Sequence, residues 1–151
     1  MHVTFAGPTL PAVTDTSSPP GGGRIPVVDY LVLEGDPHLV AHACTGCGAL
    51  YFDRRNACAK CGRTAFDRRP LATTGVLRSF TIVSRAAPGV PVPYVSAVVE
   101  LEGGGVVKAN LVDVEPDPAK IELNMPLSMT TFVCGTDEEG TDAVAFGFRP
   151  A

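Results

Sequence analysis

Residues 44 to 62 read CTGCGALYFDRRNACAKCG, in which C-x-x-C-G occurs twice with ten residues between Cys47 and Cys58. No other feature constrains the chain so tightly. Each C-x-x-C-G can close a knuckle, a tight turn whose backbone N–H groups point at the sulfurs and stabilise thiolates. Gly48 and Gly62 follow the second cysteine of each pair, where a positive φ is adopted readily only by glycine. Cys44, Cys47, Cys58 and Cys61 together supply the four sulfurs of a tetrahedral all-cysteine centre. Zinc is favoured over iron, which the same thiolate set can hold, because nothing else in the chain suggests an electron-transfer partner. Four protein ligands leave no open position for water or substrate, so the metal is expected to hold shape rather than to do chemistry.

The surrounding composition suits a folded domain, or two small ones sharing a core. Of 151 residues, 45% are apolar and 19% charged, while 16 glycines and 14 prolines favour short strands and many turns. No apolar run approaches the roughly 18 to 20 residues of a membrane-spanning helix. MHVTFAGPTLPAVTD has no basic region followed by an apolar stretch, so no secretory signal is expected. Paired thiols without an export signal point to a reducing cytoplasm.

The net charge of −4 is unevenly spread. From His42 to Pro70 the six basic residues are Arg54, Arg55, Lys60, Arg63, Arg68 and Arg69, against two acids. Four thiolates on one dication carry about −2, which offsets much of that excess. From Leu71 onward there are five basic residues and ten acids, far from the positive field of a nucleic-acid binder.

Along the chain, residues 1–24 end in SSPPGGGR and read as a flexible arm rich in proline and glycine. Residues 25–70 hold the ribbon. EGDP breaks the leading segment into two short strands, or a short helix and a strand, and the second strand delivers Cys44. Residues 71–151 carry five strand patterns. The first places Leu77, Ser79, Thr81 and Val83 on one face, with Phe80 and Ile82 on the other. The second alternates Val95, Ala97, Val99 and Leu101 against Tyr94, Ser96, Val98 and Glu100. EGGG turns into a third, with Val107, Ala109 and Leu111 on one face. EPDPAKIEL holds at most a turn or two of helix, and MPLSMTTFVC and TDAVAFGF complete the set. Five strands with a short insertion between the third and fourth outline an OB-fold barrel, so the fold class is all-β.

Elsewhere the chemistry is sparse. Cys134 is expected to be a small buried side chain. His38 and His42 share a strand face, where packing or surface roles outweigh an outer contact with the metal. No nucleophile elbow, phosphate loop or dinucleotide fingerprint is present.

With ribbon and barrel both in view, the chain resembles the rubredoxin-like zinc-ribbon plus OB-fold proteins that accompany thiolase-superfamily enzymes acting on acyl-CoA. YLVLEGDPHLVAHACTGCGALYFDRR, CAKCG, GVLRSFTIV, PYVSAVVEL and the closing FGFRP carry the resemblance, from about Tyr30 to Pro150. It implies a non-catalytic accessory subunit bound to a thiolase-like or lipid-transfer-protein-like aldolase partner. Such a subunit would help complete or gate the partner's CoA-ester site, and two copies would suit a dimeric enzyme. The family's proline-rich stretch before the second knuckle reads DRRNACAKC here, which is more basic. Arg54, Arg55, Arg63, Arg68 and Arg69 suit a CoA phosphate or an acidic patch on the enzyme, and Tyr94 a place at the barrel mouth. A single-stranded nucleic-acid module and a stand-alone acyl-CoA or lipid carrier are the alternatives. Few aromatics and an acidic barrel disfavour the former.

Overall fold

The structure, a computed structural model, describes residues 23–151; the expected arm at residues 1–24 lies almost wholly outside them. The valine-rich patterns after residue 70 form the strands β6 (Thr74–Val83), β7 (Tyr94–Leu101), β8 (Val106–Leu111), β9 (Pro126–Thr136) and β10 (Asp142–Pro150). β6, β7 and β8 run antiparallel in sequence order. β9 and β10 form a long hairpin. The barrel closes where β6 meets β9 antiparallel and β8 meets β10 in parallel. The circuit β6-β7-β8-β10-β9 is an OB-fold barrel, and the insertion between β8 and β9 is a single 3-10 turn at Pro118–Lys120. Closure leaves these five strands no edge along their shared ladders.

The chain before the barrel is built from shorter pieces. β1 (Arg24–Pro26) lies parallel to β10 as a sixth strand of the barrel sheet. β2 (Leu31–Val32) pairs with β3 (His38–Cys44), and EGDP makes the turn between them. β3 in turn pairs with β4 (Leu50–Tyr51) and β5 (Phe66–Pro70), giving the ribbon its three-stranded frame.

One apolar cluster joins ribbon and barrel. Leu31, Leu39, Ala41 and Leu71 belong to the same core as Leu77, Val95, Val99, Leu101, Leu127 and Phe148. β3 therefore buries Leu39 and Ala41 against the barrel, while His38 and His42 stay half-exposed. The triple-glycine turn after β7 completes the junction: Arg69 Nη2 donates to Gly103 O at 3.0 Å. Gly104 and Gly105 lie beneath Leu50, and Gly105 also abuts Leu71.

Two of the expected strand faces change. β6 carries a bulge between Leu77 and Ser79, and an extra residue shifts the inward phase by one. Leu77 is buried, but Ser79 and Thr81 face solvent, while Phe80 and Ile82 pack on the core. A second irregularity separates the pairs Val133–Val144 and Gly135–Ala143, leaving Cys134 as the unpaired extra residue. Cys134 is exposed rather than buried, because the hairpin end runs past the core; its Sγ donates to Ala143 O at 3.3 Å.

Barrel closure leaves no room for a methyl group at Gly75. A Cβ there would lie 2.3 Å from the backbone oxygen of Glu100 on β7. Gly75→Ala is expected to destabilise the metal-loaded chain by about 2–4 kcal/mol through forced separation of the two strands. Urea denaturation of this variant beside Gly135→Ala, whose Cβ would meet nothing within 4 Å, checks this.

Candidate metal centre and the surface beside it

β3 ends at Cys44, and the ladder is replaced there by the first knuckle. Cys44 N–H donates to Ala49 O (2.9 Å), Gly48 N–H turns back to Cys44 O (2.9 Å), and Gly48 has φ 71°. The second knuckle repeats the geometry: Cys58 N–H donates to Arg63 O (2.7 Å), Gly62 N–H to Cys58 O (2.8 Å), and Gly62 has φ 76°. Both glycines thus stand where the sequence requires them.

All four sulfurs lie within 4.8 Å of one another. The Cys44–Cys61 and Cys47–Cys58 separations are both 3.5 Å. A tetrahedral ion with metal–sulfur bonds of about 2.3 Å has edges of about 3.8 Å, so the set fits one such ion. Gly46 N–H points at Cys44 Sγ at 3.4 Å. The Tyr51 hydroxyl lies 3.4 Å from Cys58 Sγ and accepts from Ala59 N–H at 3.1 Å, so its own proton is directed to the sulfur.

The thiols are electrostatically unequal. The Tyr51 hydroxyl, followed by the N–H groups of Cys61 and Lys60, brings Cys58 down to about 6. The Cys47 and Gly46 N–H groups lower Cys44 as well. For Cys61 the Arg63 N–H acts downward, but the crowded thiols of Cys44, Cys47 and Cys58 with partial desolvation outweigh it and push it up to about 12. Four sulfurs so close cannot all ionise on their own; a divalent cation at their centre makes the full thiolate set favourable.

The residues proposed for a charged partner separate into groups. Arg54 and Arg55 line one hollow with His42, and Arg68 lines an adjoining one with the same histidine. Arg63 lies across Gly46 on the first knuckle. Arg69, next to Arg68 on β5, points the other way and binds Gly103. Tyr94 begins β7 opposite Val83 and lines none of these hollows. His38 Nδ1–H donates to Asp36 O (2.8 Å), away from the sulfurs.

Tyr51 is the residue that the sequence reading missed. Its position four residues after Cys47 was visible, but its aim depends on the pairing of Tyr51 with His42 across β4 and β3. Its ring meets Phe66 edge-on at 6.0 Å, and the Arg55 guanidinium lies 5.1 Å from its centroid.

Residues 34–67 match the family model described as the rubredoxin-like zinc ribbon domain of ChsH2, and residues 68–139 match that of its C-terminal OB-fold domain. No curated protein matches the chain significantly. Among solved structures, a chain of an "Ltp2-ChsH2(DUF35) aldolase" is 32% identical, with a TM-score of 0.61. The match covers 75% of this chain and 84% of that one.

Tyr51→Phe is expected to keep the fold and the metal but to weaken metal affinity about tenfold, the usual cost of losing an outer hydrogen bond to a ligand. Competition with a chromogenic chelator measures this; equal affinity for variant and parent would remove Tyr51 from the centre.

Proposed function

We propose, for a chain that belongs to the ChsH2 family of zinc-ribbon and OB-fold proteins, the role of a non-catalytic accessory subunit of a lipid-transfer-protein-like aldolase. The observation that carries this reading is the extent of the likeness. Ribbon and barrel both match in order, and the match takes in 84% of a chain from an Ltp2-ChsH2 aldolase.

In this reading Cys44, Cys47, Cys58 and Cys61 bind one zinc ion, whose contribution is structural. The four-sulfur set leaves no coordination position for a substrate. Reduced thiols of this kind fit a cytoplasmic protein. Arg54, Arg55 and Arg68, gathered around His42, form the part of the surface turned to the partner's CoA-ester site. Arg63 and Arg69 hold the knuckle and the junction. Residues 25–70 and 71–151 act as one rigid piece, since the apolar core runs through both.

Affinity purification from the native cell, followed by mass spectrometry, tests the assignment. A stoichiometric thiolase-fold subunit is expected, with retro-aldol cleavage of a CoA ester by the pair. Cys44→Ser with Cys47→Ser should abolish the complex, since structural zinc supplies of order 10 kcal/mol to the folding of such ribbons. A fully active complex from that double variant would sink the proposal.

A further inference from the structure

Where the β9–β10 hairpin runs past the core, its sheet has two outer edges of opposite character. One is β1, which lies parallel to β10. Val27 N–H donates to Val144 O and Asp142 N–H to Gly23 O, so residues 23, 25 and 27 turn to β10. Arg24 and Pro26 therefore take the outer side, where proline offers no N–H to a further strand. That edge is blunted.

The other edge is β9. The carbonyls of Val144 and Phe148 accept from Val27 N–H (3.0 Å) and Val112 N–H (2.8 Å), on the side of β10 away from β9. In an antiparallel ladder a residue turns both backbone polar groups to one side, and a non-bonded partner turns its own the other way. Val133, Thr131 and Met129 stand opposite Val144, Phe146 and Phe148, so their polar groups point out of the sheet edge. Met129 N–H is taken by Thr73 O at 2.7 Å. Beyond it, among the described residues, the N–H and C=O groups of Thr131 and Val133 have no backbone partner.

Open edges normally carry a lysine or a proline that deters pairing. Here no charged residue lies between Glu122 and Asp137, and the one proline, Pro126, sits at the far end beside β6. Val133 is 48% exposed. The bulge at Cys134 interrupts the edge and confines any pairing to the residues before it. This short edge is its own complement. Antiparallel pairing with a copy about a two-fold axis at Phe132 sets Thr131 against Val133 of the second copy, and the reverse. Every open edge group then finds a partner, and no like charges meet at the axis.

We propose that the β9 edge from Thr131 to Val133 is an isologous contact that joins two copies of this chain in solution. The contact closes at two, because it consumes the open edge of each copy and leaves only the β1 edge, which Pro26 blunts. It lies on the barrel hairpin and does not depend on the accessory role.

Sedimentation equilibrium of the zinc-loaded full chain, without any partner, tests the contact from about 1 to 500 µM. Contacts this small associate weakly, so monomers at the low end and dimers at the high end are expected, with a dissociation constant of order 100 µM. Val133→Pro removes an edge donor without touching the β10 ladder, and Val133→Lys places a charge beside the axis. Each should weaken association at least about tenfold. Val106→Lys adds the same charge at an exposed position on β8 and should leave the equilibrium within about twofold. In the unmodified chain, hydrogen exchange read by NMR should slow at the Thr131 and Val133 amides only at high concentration. A monomer at every concentration, a dimer indifferent to both Val133 variants, or protection of those amides that does not change with concentration overturns the contact. None of those results bears on co-purification with an aldolase subunit.

Discussion

The sulfur cluster holds together a segment with very little interior of its own. Between Cys44 and Phe66 the only buried side chains are Cys44 and Cys58, both ligands in the proposed centre. Hydrophobic burial of the ordinary kind, worth roughly 25 cal/mol per Å², has almost nothing to act on there. The backbone hydrogen bonds of the knuckles are local, and local turns alone do not outweigh the entropy of ordering some twenty residues. A structural metal on these four sulfurs would be the interaction that makes the knuckles, the intervening loop and the arginines on it a defined surface.

The barrel supplies what the metal cannot, which is orientation. Leu39 and Ala41 on β3 point into the apolar cluster while His42 points out, so strand alternation converts burial on one face into presentation on the other. β5 works in the same way: Arg68 lines the hollow beside His42 and Arg69 reaches Gly103 in the triple-glycine turn. A glycine at position 105, with φ 103°, brings that turn under Leu71 and Leu50. A flexible ribbon on a linker would have none of these contacts.

Much of this was legible in the sequence, for identifiable reasons. The alternation in β7 and β8 is unbroken, so the inward sets Val95, Ala97, Val99, Leu101 and Val107, Ala109, Leu111 followed from period two. β6 and the β9–β10 hairpin contain bulges, and a bulge leaves no distinct residue signature. One extra residue reverses every later side chain, which is why Ser79 and Thr81 were misplaced, whereas Cys134 is exposed because the hairpin end runs past the core. The clustering of Cys44, Cys47, Cys58 and Cys61 was evident because their spacing is itself the geometry. Tyr51 was not, since its hydroxyl reaches Cys58 only through the pairing of β4 with β3. The six-membered set of charged and aromatic candidates dispersed for a related reason: proximity in sequence does not say which face of a strand a side chain takes.

Burial of the junction also bears on how an accessory subunit of this shape acts. A rigid ribbon can dock on a partner without induced folding, so little binding energy is lost to ordering. The arginines flanking His42 are solvent-exposed, where isolated charges contribute weakly. Docking an enzyme over this face would exclude water and strengthen ion pairs made by these guanidinium groups through the lower local dielectric. The sulfur cluster and the shared core thus fix the ribbon, while its exposed arginines gain strength only when a partner covers them.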